Sequence, residues 1–107
     1  MQISVWNSEA EIGYTQQTTF WMDFSIADKF GNSAIKDTYK RAFEAWKNDY
    51  IYLTELAMVT NRKCWYWYEK GNQARSELYS DLYYQTRDYA LDNLKGEELS
   101  YYIQTTD

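Results

Sequence analysis

The residues of this chain that could do chemistry are defined first by one that is missing. No histidine occurs in the 107 residues, which removes the commonest general base and the commonest metal ligand. Cys64 is the single cysteine. It has no imidazole to activate it and falls on an apolar row of its own segment, so a buried structural thiol is expected, not a nucleophile. The sequence contains no Gly-rich phosphate loop, no Ser elbow and no paired-cysteine metal motif. Carboxylates remain, but di-metal bundles need Glu-x-x-His pairs, and no two acidic residues share a predicted buried face. Thr54, Glu55 and Glu69 fall on the most polar side of their segment and read as solvated or salt-bridged. We expect no enzyme, no metal site and no cofactor.

Binding chemistry is better represented. Glu77, Asp81, Asp88 and Asp92 follow i, i+4, i+11, i+15, which on a helix confines them to an arc of about 60° and a stripe roughly 22 Å long. Tyr84 and Leu91 sit beside that stripe, outside the inferred core face, and Glu97 and Glu98 extend the acidity. Steps of one turn, ~5–6 Å, approach the phosphate spacing of a nucleic-acid strand. Such a stripe fits a basic groove made for DNA or RNA; its plainer reading is a solvated helix face. Lys36, Lys40 and Lys47 form a basic counterpart at i, i+4, i+11, with Asp37–Arg41 and Lys40–Glu44 pairs available. It reads as a salt-bridged exterior, weak support for phosphate contact, and it also allows a second copy's acidic stripe to dock as a homo-oligomer.

These faces need helices to present them, and the pattern supplies them around one segment. From Tyr50 to Lys70 three apolar rows appear at helical spacing. Ile51, Met58 and Trp65 form one, Tyr52, Val59 and Tyr66 a second, and Leu53, Leu56, Ala57, Thr60, Cys64 and Trp67 the widest. A helix apolar on most sides is buried among others, so Leu53, Leu56, Ala57, Cys64 and Trp67 are expected in the core. Trp65, Tyr66 and Tyr68 outnumber the faces left to cover them, and any found exposed is a candidate anchor for a partner.

Around this hub, residues 1–17 show no helical period; Ile3 and Val5 alternate as in a short strand or an extended arm. Thr18 or Thr19 caps a first helix with Phe20, Phe24 and Ala27 on one side and Trp21 and Phe30 next to it, stopped by Gly31. Asn32-Ser33 starts a second helix from Ala34 to about Lys47, its arc Ile35, Tyr39, Ala42, Phe43 and Trp46. Asp49 caps the central helix, Gly71-Asn72 ends it, and a fourth runs from about Gln73 to Lys95 on Leu78, Tyr79, Leu82, Tyr83, Thr86, Tyr89 and Ala90. Gly96 stops that helix, and Glu97 to Gln104 fits one or two more turns. Short connections make neighbours antiparallel. The expected fold is all-α: one compact bundle of four to five antiparallel helices over residues 18–107, around a central aromatic-rich helix, with an extended N-terminal arm.

Composition narrows the class of function. Charged residues at 25% and hydrophobic ones at 45% are globular values. Aromatics at 20% suit half-buried positions and interfaces. No apolar run approaches the ~18 residues of a membrane span, and the N-terminus lacks the basic flank and apolar block of a signal peptide. With one cysteine a cytoplasmic protein is expected. The net charge of −5 argues against direct nucleic-acid or membrane binding. From Ser76 onward seven acidic residues face two basic ones, so the last third holds the whole imbalance.

The stretches TTFWMDFSIADKFG, AIKDTYKRAFEAWKNDYIYLTEL and DNLKGEELSYYIQTTD resemble small uncharacterised proteins carried by integrative conjugative elements of gut bacteria. The resemblance spans roughly Thr18 to Asp107 and brings no activity or site residue with it. It implies a genomic setting in which cargo genes often encode inhibitors of host defence, anti-CRISPR and anti-restriction proteins included. Together these readings give a protein-binding module whose partner has a basic surface, a nucleic-acid mimic. The alternative is an accessory helical subunit of a conjugation or regulatory complex, bound through its aromatic rings.

Overall fold

Residues 16–106 are described by a computed structural model. They form five helices: α1 (Gln16–Phe30), α2 (Asn32–Trp46), α3 (Tyr50–Glu69), α4 (Gln73–Asn93) and α5 (Gly96–Thr106). No strand occurs among the described residues, and the fold is an all-α bundle. Of the arm or strand expected over residues 1–17, residues 1–15 lie outside them, and Gln16 and Gln17 belong to α1 instead.

The side-chain contacts give the direction of each helix. Along α1, Gln17 meets Met58 and Arg62, and Asp28 meets Lys63 and Trp67, so α1 and α3 run the same way. Tyr39 meets Thr86 and Phe43 meets Tyr89, so α2 and α4 are also parallel. Tight turns reverse the chain between α1 and α2 and between α3 and α4. The result is an up-down-up-down arrangement, with chain neighbours antiparallel and alternate helices parallel. Finally α5 runs alongside α3, Tyr50 against Tyr101 at one end and Met58 near Thr105 at the other.

The junctions follow from local chemistry. Asp49 turns back to accept from the backbone N–H groups of Ile51 and Tyr52, both at 3.1 Å, an N-cap as expected. Asn72 accepts from Arg75 N–H at 3.1 Å and starts α4, while its own N–H reaches back to Trp67 C=O at 3.0 Å and closes α3. Gly31 has φ 112° and ψ −175°, a region essentially restricted to glycine. There it ends α1 and begins α2 in one residue, so Asn32 and Ser33 are already helical. Gly96 opens α5, and α4 ends earlier, at Asn93.

At its other end α1 starts two residues before the expected Thr caps. Its first turn is held from a distance: Glu55 on α3 accepts from the Gln17 backbone N–H, and the Gln17 side chain bridges Arg62 and Met58.

Two apolar clusters hold the helices together. The larger joins Phe20, Phe24 and Ala27 of α1, Ile35 and Tyr39 of α2, Leu56 and Val59 of α3, and Tyr79 and Leu82 of α4. The smaller joins Leu53, Ala57, Ala90, Leu94 and Tyr102, which places α5 in the groove between α3 and α4. As expected, Leu53, Leu56 and Ala57 are fully buried. Cys64 and Trp67 are only half-buried, each packed against the core cluster with one polar atom turned to a buried partner, Cys64 to Ser76 and Trp67 to Asp28. Thr54 belongs inside: it and Thr60 are completely buried and return their hydroxyls to their own helix, to Tyr50 C=O and to Leu56 and Ala57 C=O. The row of Ile51, Met58 and Trp65 faces outward, exposed at both ends.

Candidate interaction surface

On the outer side of α4, Glu77, Asp81, Asp88 and Asp92 are all exposed along one unbroken helix. The opposite side is committed to the core through Ser76, Tyr79, Leu82, Thr86 and Ala90. Tyr84 and Leu91 flank the stripe, exposed by 55% and 43%, and Tyr84 rests edge-on against Tyr83 at 5.2 Å. Among the described residues no ion pair neutralises these acids; Glu77 accepts one hydrogen bond, from Gln73 at 3.1 Å. Glu97 and Glu98 are exposed in the first turn of α5, where the positive end of the helix favours them.

The aromatic end of α3 lies beside the start of α4. Cys64 and Ser76 are level with each other: their side chains are 3.5 Å apart, and the Ser76 hydroxyl donates to Cys64 C=O at 2.9 Å. Trp65 and Tyr68 are exposed by 56% and 62% and pack edge to face at 5.6 Å. Tyr66 is exposed at its edge and sits against Trp21, with the Lys63 and Lys70 ammonium groups over its ring. All three surplus rings therefore face solvent in part.

The basic strip meets the acidic one sideways. Lys36 and Lys40 line a groove of about 510 Å³ between α2 and α4 whose other wall includes Asp81 and Gln85. Of the two pairs expected on α2, Asp37–Arg41 forms, at 3.8 Å and highly exposed. Glu44 chooses Lys47, at 3.1 Å, over Lys40. Exposed pairs of this kind contribute little.

The most elaborate polar cluster escaped the sequence pattern. Asp28 accepts from Lys63 Nζ at 2.8 Å, Tyr79 OH at 2.6 Å and Trp67 Nε1 at 3.3 Å. Lys63 also donates to Ser25 Oγ and lies over the Trp21 ring at 4.2 Å, and Arg75 donates to the Asp28 carbonyl. Both side chains of the pair are under a tenth exposed. Burial, then the hydrogen bond and charge of Asp28, push the Tyr79 phenol far above its ordinary value, so it stays a donor. A signal was there to read: Asp28 continues the Phe20–Phe24 row, and Lys63 continues Leu56–Thr60. Charges at two core positions imply each other.

A carboxylate expected in solvent is partly enclosed as well. Glu55 is half-buried with Oε1 out of contact with any donor among the described residues. Burial raises its pKa; the Gln17 N–H opposes that and the Asp49 charge adds to it. Glu69 is exposed. Among the described residues no three His, Cys, Asp or Glu side chains converge as metal ligands, and no helix is long and apolar enough to cross a membrane.

One residue of α1 lies on the side opposite to that expected. Phe30, expected next to the α1 core face, is 78% exposed and lines up with Met22 and Ile26 at i, i+4, i+8 on the outside. No protein-family model, curated protein sequence or solved structure matches the chain.

Proposed function

We propose that the chain is a non-enzymatic protein-binding module that works as an inhibitor encoded on a mobile element. Its acidic α4 face would occupy the basic nucleic-acid site of a host defence complex in the cytoplasm. One observation carries this reading. Four carboxylates at turn spacing share an exposed helix face with Tyr84 and Leu91, and no ion pair among the described residues reaches them. Unpaired like charges raise the local potential and speed encounter with a positive groove, while neighbouring apolar rings supply anchoring area. Trp65, Tyr66 and Tyr68 add exposed ring area at the end of α3.

The same three rings support a second reading, an accessory subunit that docks through aromatic surface with the stripe as a bystander. A single capture experiment separates the two. Tagged chain is exposed to bacterial lysate and the retained proteins are identified by mass spectrometry. It is run as wild type, as the combined Glu77→Lys, Asp81→Lys, Asp88→Lys and Asp92→Lys variant, and as Trp65→Ala with Tyr68→Ala. Far-ultraviolet dichroism confirms unchanged helicity. Charge mimicry requires a nucleic-acid-binding protein among the retained set and its loss from the reversed variant, a weakening of about a hundredfold or more since like charges then oppose. Full retention by the reversed variant, with loss in the aromatic variant, replaces this reading with the second.

A further inference from the structure

We infer that the α1–α2 face is a self-association surface and that its occupant is a second copy of this chain. This does not depend on the proposal above and shares no residue with the acidic stripe. The argument begins with α1, a helix apolar on two sides. Phe20, Phe24 and Ala27 face inward, and Met22, Ile26 and Phe30 form an outward row. A helix with two apolar faces is built for two sets of neighbours, and among the described residues only the inner set is covered.

The outward row borders a hole. Between α1 and α2 runs a groove of about 550 Å³ whose wall includes Phe20, Ala27, Ala34, Ala42, Ala45 and Trp46. Four alanines leave its floor low, while Ile26 and Phe30 stand at its edge. One face thus carries both large projecting side chains and a recess that accepts them. Two-fold pairing requires this self-complementarity, because each contact is made twice with roles exchanged.

Area and charge agree. Exposures of 51, 55 and 78% at Met22, Ile26 and Phe30 leave on the order of 350 Å² in one row, the size at which a patch marks an interaction site. A standard interface buries about 800 Å² per partner; the row supplies nearly half of that, and the groove beside it adds a smaller share. Two copies of an acidic chain repel wherever their acidic faces meet. Residues 16–47 carry four acidic and five basic side chains, against six acidic and three basic in residues 73–106. The α1–α2 face is where copies approach without net like charge.

Sedimentation velocity of the full chain, from low to high micromolar concentration, tests this. The wild type should move from 12.9 kDa toward twice that mass as concentration rises. Ile26→Lys and Phe30→Glu should stay monomeric with unchanged helicity, and Ile26→Lys excludes mere added repulsion because it lowers the net negative charge. Phe30→Ala, too mild to disturb an exposed site, should weaken association about tenfold. Leu91→Glu, an exposed apolar residue on α4, should associate as wild type does. A wild type that is monomeric throughout overturns the inference, as do row variants that associate normally or loss of association in Leu91→Glu alone.

Discussion

A single buried carboxylate, Asp28, ties three helices together. Its oxygens take an ammonium from α3, a phenol from α4 and an indole N–H from α3. Two opposite charges removed from water gain little net stability as a pair, because desolvation offsets attraction. Removing one partner is another matter. Asp28→Ala leaves Lys63 charged in a dry site and strands the Tyr79 hydroxyl, and it should cost about 3–5 kcal/mol in urea unfolding. Adding Lys63→Met should return part of that loss, since the uncharged stem fits the same space. A cost under about 1 kcal/mol for Asp28→Ala would mean that water reaches Lys63. The pair also shows a limit of pattern reading. Apolar periodicity assigned Phe20, Phe24, Leu56 and Ala57 correctly, and it skipped Asp28 and Lys63 because a charge at a core position is scored as an interruption. The α4 acids were legible for the opposite reason: charge at an outward position agrees with the period.

At the scale of elements, helix ends written locally were legible. Asp49, Gly71 and Asn72 act through neighbours a few residues away, and Gly31 fixes its turn by conformation alone. The start of α1 was not: Glu55, 38 positions on, accepts from the Gln17 N–H in its first turn, a contact that spacing does not announce. That arrangement has a pH signature. Burial raises the Glu55 carboxyl above its ordinary 4.5. In the window between 4.5 and the higher folded value, the folded chain keeps a proton that the unfolded chain releases. Stability from this group is therefore greater at low pH and declines as pH rises through the window, levelling off above it. Glu55→Gln keeps an oxygen for the Gln17 N–H and cannot titrate. Relative to wild type, it should gain in urea midpoint as pH rises from about 4 to 7. A constant difference between the two proteins would show that Glu55 titrates as a solvated acid.

The whole molecule separates its surfaces by charge. One side, α1 and α2, is nearly balanced and bears the apolar row; another, α4 and α5, holds the acidic excess. Two binding events on these faces should answer oppositely to salt. Capture of a basic partner should weaken steeply as the screening length falls from ~10 Å at 0.1 M to ~3 Å at 1 M. Self-association should hold or tighten, because salt screens the repulsion between two negative copies. Sedimentation and partner titration at the two salt levels check this, and parallel weakening of both would remove the division of labour between faces. The acidic excess of the last third was legible in the sequence; which residues border one groove was not, since that depends on how helices pack. Lys36 and Asp81 are 45 positions apart and share a wall.

The outer face of α4 holds nothing up. Its acids are exposed and form no ion pair among the described residues, and exposed positions of this kind usually change stability by about 0.5 kcal/mol or less when replaced. The inner face, by contrast, is fixed by Tyr79, Leu82, Thr86 and Ala90. Heredity can therefore rewrite one side of this helix while leaving the other alone. The sequence can vary along that single surface without passing through a form that fails to fold.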